Sequence, residues 1–213
     1  TGNCFEIEIS DQICNGINLE VLALDGLHTG TTCRRHFSHR TEAYQLEKLS
    51  LRRVPQCIYE MPMLSVLHLS GNALIGSIPK DVKIGQKLSD LTLSYNRFTG
   101  EIPDAIQLHN WTILDLSYNS FSGVLSNKID ISTSTSLKLR INRLSGNVPK
   151  PLKDVEHIAI LEGNIFNCNF DTKILPSSDN KSKSYRCGSD NLYLSLYVTF
   201  GIFIFFMIIL VIK

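Results

Sequence analysis

With 213 residues, a net charge of +1 and 19% charged residues, the chain is long enough for one domain of ordinary size. It shows no charge excess of the kind that would hold nucleic acid or an acidic partner. Its six cysteines are compatible with an oxidising compartment, and none stands in a Cys-x-x-Cys pair or in a cysteine–histidine spacing that suits zinc.

The opening residues, TGNCFEIEISDQIC, contain no positive segment followed by an apolar run, so no signal peptide is read here. They resemble the tail of an earlier repeat, and Leu19, Leu22 and Leu24 have the spacing of a strand. Residue 1 is therefore expected to fall inside a longer solenoid. From 28 to 44 the pattern lapses into histidines, arginines and threonines without a period, which reads as an irregular repeat or an inserted loop. Leu46, Leu49 and Leu51 resume the strand spacing, but no asparagine or glycine follows in phase. The stretch 28–62 is accordingly the expected site of irregular stacking.

The regular part follows. LHLSGNALIGSIP, LTLSYNRFTGEIP, LDLSYNSFSGVLS and LKLRINRLSGNVP succeed one another, with Asn72, Asn96, Asn119 and Asn142 falling 24, 23 and 23 residues apart. Gly76, Gly100, Gly123 and Gly146 each stand four residues after one of these asparagines. A fixed period in the twenties with L-x-x-L-x-L ahead of an asparagine is the pattern of a leucine-rich repeat solenoid. Leu88, Leu91 and Leu93 point inward while Ser89, Asp90, Thr92 and Ser94 do not, the period-2 signature of a short strand. One such strand cannot bury its own apolar side, so coils stack at roughly 4.8 Å each. The asparagine column is read as structural, its amides pairing backbone groups that the turn leaves inside. Pro79, Pro103 and Pro149 stiffen the return segments. The serine- and threonine-rich stretch after Asn119 marks the least rigid of these coils.

Toward the end, Val155, Ile158 and Ile160 suit one register, whereas Leu161 and Asn164 suit a register shifted by one. Cys168 and Cys187 flank a polar segment and can staple the open end of the solenoid. Pairing among Cys4, Cys14, Cys33 and Cys57 stays open, and Cys14 and Cys57 equally suit buried thiols. Residues 192–212 carry no charge over 21 positions, and a helix of that length spans about 30 Å, the thickness of a bilayer core. The chain thus divides into a solenoid of about seven coils at 1–168, a cap and juxtamembrane linker at 169–191, and a transmembrane helix at 192–212. The cysteine pair and two sequons, at Asn110 and Asn180, place the repeats outside the cell and Lys213 inside. The expected location is the plasma membrane, crossed once.

No catalytic motif occurs. A G-x-S-x-G, a P-loop, a G-x-G-x-x-G and an H-E-x-x-H are all missing from the sequence. His36 and His39 lack a partner in ligand spacing, so neither metal nor cofactor is expected. Asp90 and Asp115 are read as offset by one strand position, close enough to approach across the sheet but without a nucleophile. What remains is a surface. One outward column runs His68, Thr92, Asp115, Lys138; a second runs Ser70, Ser94, Ser117, Arg140; a third runs Gly71, Tyr95, Tyr118, Ile141. Tyr95 and Tyr118 are expected to stack about 5 Å apart in adjacent coils, with Asp115 and Arg97 at their border. The candidate ligand-binding residues are therefore His68, Asp90, Thr92, Tyr95, Arg97, Asp115, Tyr118, Lys138 and Arg140.

The repeats at 64–79 and 88–103 match L-x-x-L-x-L-S-x-N-x-L-S-G-x-I-P, and on these residues the chain resembles the plant-type leucine-rich repeat family over about 19–164. The resemblance implies an α/β-type solenoid, a right-handed leucine-rich repeat superhelix. A parallel β-sheet would line its concave face, and a second short strand would come from each G-x-I-P segment. With the cysteine cap and the apolar tail it is similar to a kinase-less receptor-like protein. Such a protein recognises a protein, peptide or glycan ligand together with a membrane co-receptor kinase. The alternative reading is a structural or adhesive subunit of a surface assembly that transmits no signal.

Overall fold

A three-residue strand has one inward side chain, and it can bury that side chain only against the equivalent one in the next coil. Leu67, Leu91, Leu114 and Leu137 do this, standing side by side in hydrogen-bonded register. The computed structural model describes residues 9–26, 53–168, 175–188 and 197–204. In chain order its strands are β1 (Val21–Ala23), β2 (Val66–His68), β3 (Ile75–Gly76), β4 (Asp90–Thr92), β5 (Arg97–Glu101) and β6 (Ile113–Asp115). They continue with β7 (Ser120–Val124), β8 (Ser136–Lys138), β9 (Arg143–Asn147), β10 (His157–Ala159) and β11 (Ile165–Asn167). Among the described residues these form two all-parallel sheets, ordered β1-β2-β4-β6-β8-β10 and β11-β9-β7-β5-β3. The crossovers wind right-handed, as connections between parallel strands do.

The first sheet lines the concave side, and Leu22 and Ile158 extend its leucine row at either end. Leu67, Leu91 and Leu137 are fully buried. At roughly 1.5–3 kcal/mol for each large apolar side chain taken out of water, this shared row supplies a large part of the stability of every coil. The second sheet is built from the R-F-T-G-E type of segment, with Phe98, Phe121, Leu144 and Phe166 turned inward. Its strands take in the Gly-x half of the expected G-x-I-P segment, as at Gly100-Glu101 and Gly146-Asn147, but stop before the apolar-Pro pair. Proline explains the stop. Pro55, Pro103 and Pro149 each stand, with φ near −60°, at the start of a short helical turn: Gln56–Glu60, α1 (Asp104–Gln107) and Lys150–Asp154. A residue locked at that φ without an N–H suits a helix start better than a ladder.

Asparagines close the interior. The amide of Asn142 donates to the carbonyl of Leu139 in its own coil and to that of Leu116 one coil back, both at 3.0 Å, while its oxygen accepts from the N–H of Phe121 at 3.0 Å. Asn96, Asn119 and Asn164 repeat the arrangement.

Three irregularities are absorbed locally. β1 pairs directly with β2, and the Leu46–Leu51 motif lies outside the described residues. In the stretch after Asn119, the buried side chain of Gln107 accepts from Ser126 N–H at 2.7 Å and donates to Ile102 at 2.7 Å, tying the serine-rich coil to its neighbour. In the last repeat the register shift is a bulge. Leu139 and Arg140 both donate to the carbonyl of Ala159, and the extra residue is taken up before Asn164, which keeps its place in the column.

The ends are held differently. A disulfide joins Cys14 to Cys57, across 43 residues, and another joins Cys168 to Cys187, across 19. Residues 175–188 close the last coil. The buried carboxylate of Asp179 accepts from the N–H groups of Ile160 at 2.7 Å and Leu161 at 3.0 Å. The Tyr185 hydroxyl accepts from Phe166 and donates to Asn164. Cys4, Cys33, His36 and His39 lie outside the described residues.

The tail requires a correction. Residues 197–204 are helical and exposed, the remainder of 192–212 lies outside the described residues, and among the described residues no helix is long and apolar enough to cross a membrane. Eight residues rise only about 12 Å, less than half of a bilayer core. A charge-free apolar run is necessary for a span but does not by itself supply a continuous helix. The transmembrane helix, and with it the single-pass plasma-membrane location, is not upheld.

Candidate functional site

The outward side chains of the concave sheet fall into the columns that the register dictates. Ala23, His68, Thr92, Asp115, Lys138 and Ala159 share one row. Asp90 belongs to the other outward row, opposite Ile113, two strand positions from the level of Asp115. The two carboxylates are therefore not brought together, and the expected one-position offset is wrong by one. Each has its own partner instead. His68 stands between two acids, with Nε2 3.0 Å from Asp90 and Nδ1 3.8 Å from Asp25, both in ion-pair range. Asp115 accepts from the Ser117 hydroxyl at 2.5 Å and pairs with Lys138 at 3.7 Å.

Beyond the strand the backbone turns left-handed at one rung in every coil. Gly71, Tyr95, Tyr118 and Ile141 have φ of 72°, 55°, 54° and 54°, and Gly163 of the last coil has 72°. Such a conformation costs an L-residue roughly 1–2 kcal/mol, and more for a branched one such as isoleucine. The compensation is visible in the hydrogen bonds: Tyr95 N–H reaches Ser117 at 3.1 Å and Tyr118 N–H reaches Arg140 at 3.0 Å, continuing the ladder of the sheet past its last strand residue. The turn also throws both rings onto the rim of the concave face, where they stack at 4.1 Å between centroids and 11° between planes. The Arg140 guanidinium lies 5.2 Å from the centre of the Tyr118 ring and is held there by Glu162 at 3.7 Å. Glu162 in turn meets Lys181 of the closing segment at 3.7 Å.

The result is a graded stack: Arg140, then the half-buried Tyr118, then Tyr95 with 55% of its surface exposed. The neighbouring Tyr118 hydroxyl raises the pKa of Tyr95 above the ordinary tyrosine value, and a small loss of solvent adds to this. Arg97, expected at the border of the pair, instead opens β5 on the second sheet. The guanidinium against the tyrosines is that of Arg140. Sequence reasoning missed the left-handed rung, although glycine at three of its six places (Gly26, Gly71 and Gly163) was a usable signal. Asn110 and Asn180 are exposed, while Trp111, in the middle of the first sequon, is buried and donates to Ile106 at 2.7 Å. Among the described residues no group of three or more histidine, cysteine or acidic side chains is placed to hold a metal ion.

A family model described as Leucine Rich Repeat matches residues 87–108 and 110–130. No curated protein matches the sequence. Among solved structures, the leucine-rich repeat ectodomain of the Arabidopsis receptor kinase HAESA, in complex with an N-terminally extended IDA peptide hormone ligand, is similar at 27% identity and a TM-score of 0.51. That match covers 60% of this chain and 22% of the HAESA chain, so the protein spans about a fifth of its relative's length. The BIR3–SERK2 complex from Arabidopsis thaliana matches at 29% identity and a TM-score of 0.43, covering 54% of this chain and 64% of the other. A plant ice-binding protein matches at 18% identity and a TM-score of 0.44, over 81% of this chain and 68% of its own.

Proposed function

We propose that the chain is an extracellular recognition module, in which the rim and concave face of the first sheet bind an extended peptide with a co-receptor as the second partner. The observation that carries this reading is the Arg140–Tyr118–Tyr95 stack, held in a strained backbone conformation and left open at its Tyr95 end. Aromatic rings and arginine are the side chains that dominate binding energy at protein interfaces, and a tyrosine fixed in place loses little entropy when a ligand covers it. The likeness to HAESA, a receptor whose ectodomain is seen with a peptide hormone, supports the same class of ligand. His68, Asp90, Thr92, Asp115 and Lys138 would contribute polar contacts beside the stack. Arg97, on the second sheet, is not part of this surface. The work of the site is binding and not catalysis. Asn110 and Asn180 are proposed glycan acceptors.

Selection from a randomised peptide library tests the reading. Peptides enriched on the native chain should lose at least tenfold in affinity for a Tyr95→Ala/Tyr118→Ala double variant that remains folded by circular dichroism. Enriched peptides that bind both forms equally would overturn it.

A further inference from the structure

The stack is asymmetric. At one end Arg140 covers Tyr118, which shows that this pair of rings accepts a guanidinium on its face. At the other end Tyr95 is 55% exposed, and the next two rungs toward β1 are glycines, Gly71 and Gly26, with φ of 72° and 67°. Among the described residues no side chain of the column therefore continues the stack in that direction. The carboxylate of Asp25 stands over this end. It accepts from Ser70 N–H at 2.6 Å, and the Ser70 hydroxyl accepts from Ser94, the residue before Tyr95, at 3.1 Å. Asp25 belongs to the coil of β1, two strands from that of Tyr95, and its carboxylate reaches back toward Ser70, so it stands between one and two strand spacings, roughly 5–10 Å, from the level of Tyr95. Its side chain is 48% exposed, and its other oxygen faces His68 at 3.8 Å.

An exposed ring face beside a half-exposed carboxylate suits a planar, weakly hydrated cation. A guanidinium stacks on the ring while its N–H groups reach the acid, whereas an ammonium is compact and more strongly hydrated. We infer that Tyr95 is the seat of an arginine side chain of the ligand, with Asp25 as its counter-charge. The inference rests on the peptide reading above and names the ligand residue that the stack selects. Bound in this way, the ligand arginine would mirror Arg140 across the two tyrosines.

The test uses the full chain and two probes, acetyl-Gly-Arg-Gly-amide and the same tripeptide with citrulline, which keeps the shape but not the charge. NMR titration should show saturable shifts of the Tyr95 and Tyr118 ring resonances with the arginine probe, the Tyr118 ring being the reporter in Tyr95→Ala. Binding should be at least fivefold weaker with the citrulline probe and at least fivefold weaker in Tyr95→Ala and in Asp25→Asn, with Tyr95→Phe retaining it. Equal binding of the two probes, or undiminished binding in folded Tyr95→Ala, overturns the inference. If library peptides depend on the tyrosine pair but the arginine probe does not bind, the arginine seat falls and the peptide reading stands. If the arginine probe binds at Tyr95 while no library peptide depends on the pair, the seat stands and the peptide reading falls.

Discussion

Asn96 reaches backward: its side-chain amide donates to the carbonyl of Leu69, one coil earlier, at 2.8 Å. The same amide donates to Leu93 at 2.9 Å, and its oxygen accepts from Asn72 and Leu74, each at 3.0 Å. With a further bond from the amide to the carbonyl of Ser94 at 3.2 Å, a single buried side chain satisfies five backbone groups in two coils.

Removing it should be costly. An orphaned buried polar group costs about 1–3 kcal/mol, so Asn96→Ala is expected to lose at least about 3 kcal/mol in urea unfolding. Asn96→Asp keeps the acceptor but loses the donor and should fall between the two. Asn72, only partly buried, should tolerate alanine better. A loss below about 1 kcal/mol for Asn96→Ala would show that water replaces the amide.

The two disulfides should separate by loop length. In the chain-entropy account a 43-residue closure is worth about 4 kcal/mol and a 19-residue closure about 3 kcal/mol. Cys14→Ser/Cys57→Ser should therefore lower the thermal midpoint more than Cys168→Ser/Cys187→Ser. The reverse order would mean that the closing segment, and not the N-terminal coil, limits global unfolding.

Asp179 should act locally. Alanine in its place strips the acceptor from the N–H groups of Ile160 and Leu161, which face the closing segment. Amide exchange at these two positions should speed up by at least tenfold, while Leu91 and Leu114, in the middle of the array, stay protected. Uniform acceleration across all coils would contradict a local role.

Alkali should unfold the chain through its tyrosines. Tyr59, fully buried, and Tyr185, half-buried, both have their pKa raised by desolvation, and Tyr95 is raised by its neighbour. The unfolded chain therefore releases these protons first, near the ordinary tyrosine pKa of about 10. Their contribution to stability is complete below that pH and is lost as pH rises through the folded values. Absorbance of phenolate at 295 nm, followed with circular dichroism, should show Tyr59 ionising only together with unfolding. Full ionisation in a still-folded chain would refute this.

The repeating period, the inward leucines and the structural asparagines were readable because each rests on one residue type recurring at one place. Columns that need only strand alternation, such as His68 to Lys138, were readable for the same reason. The left-handed rung was harder to see, because tyrosine and isoleucine there hide a backbone state that glycine advertises. Arg97 was misplaced since one residue separates a concave position from the second sheet. The closing role of Asp179 left no signature: an aspartate in a polar stretch looks like any solvated residue until the strand it serves is known. The apolar tail misled because composition measures affinity for lipid and not helix length.

The backward reach of the asparagines gives the array a grain, like overlapped roof tiles. Each coil is sealed by the one that follows it, so Asn164 covers the coil of Leu144, and the last tile is nailed down by an acidic side chain from outside the pattern. Lifting that nail exposes the tile beneath, and peeling then runs from the C-terminal eave toward the ridge. A shingled surface of this kind lengthens by slipping new tiles in between, which leaves the nailed edge undisturbed.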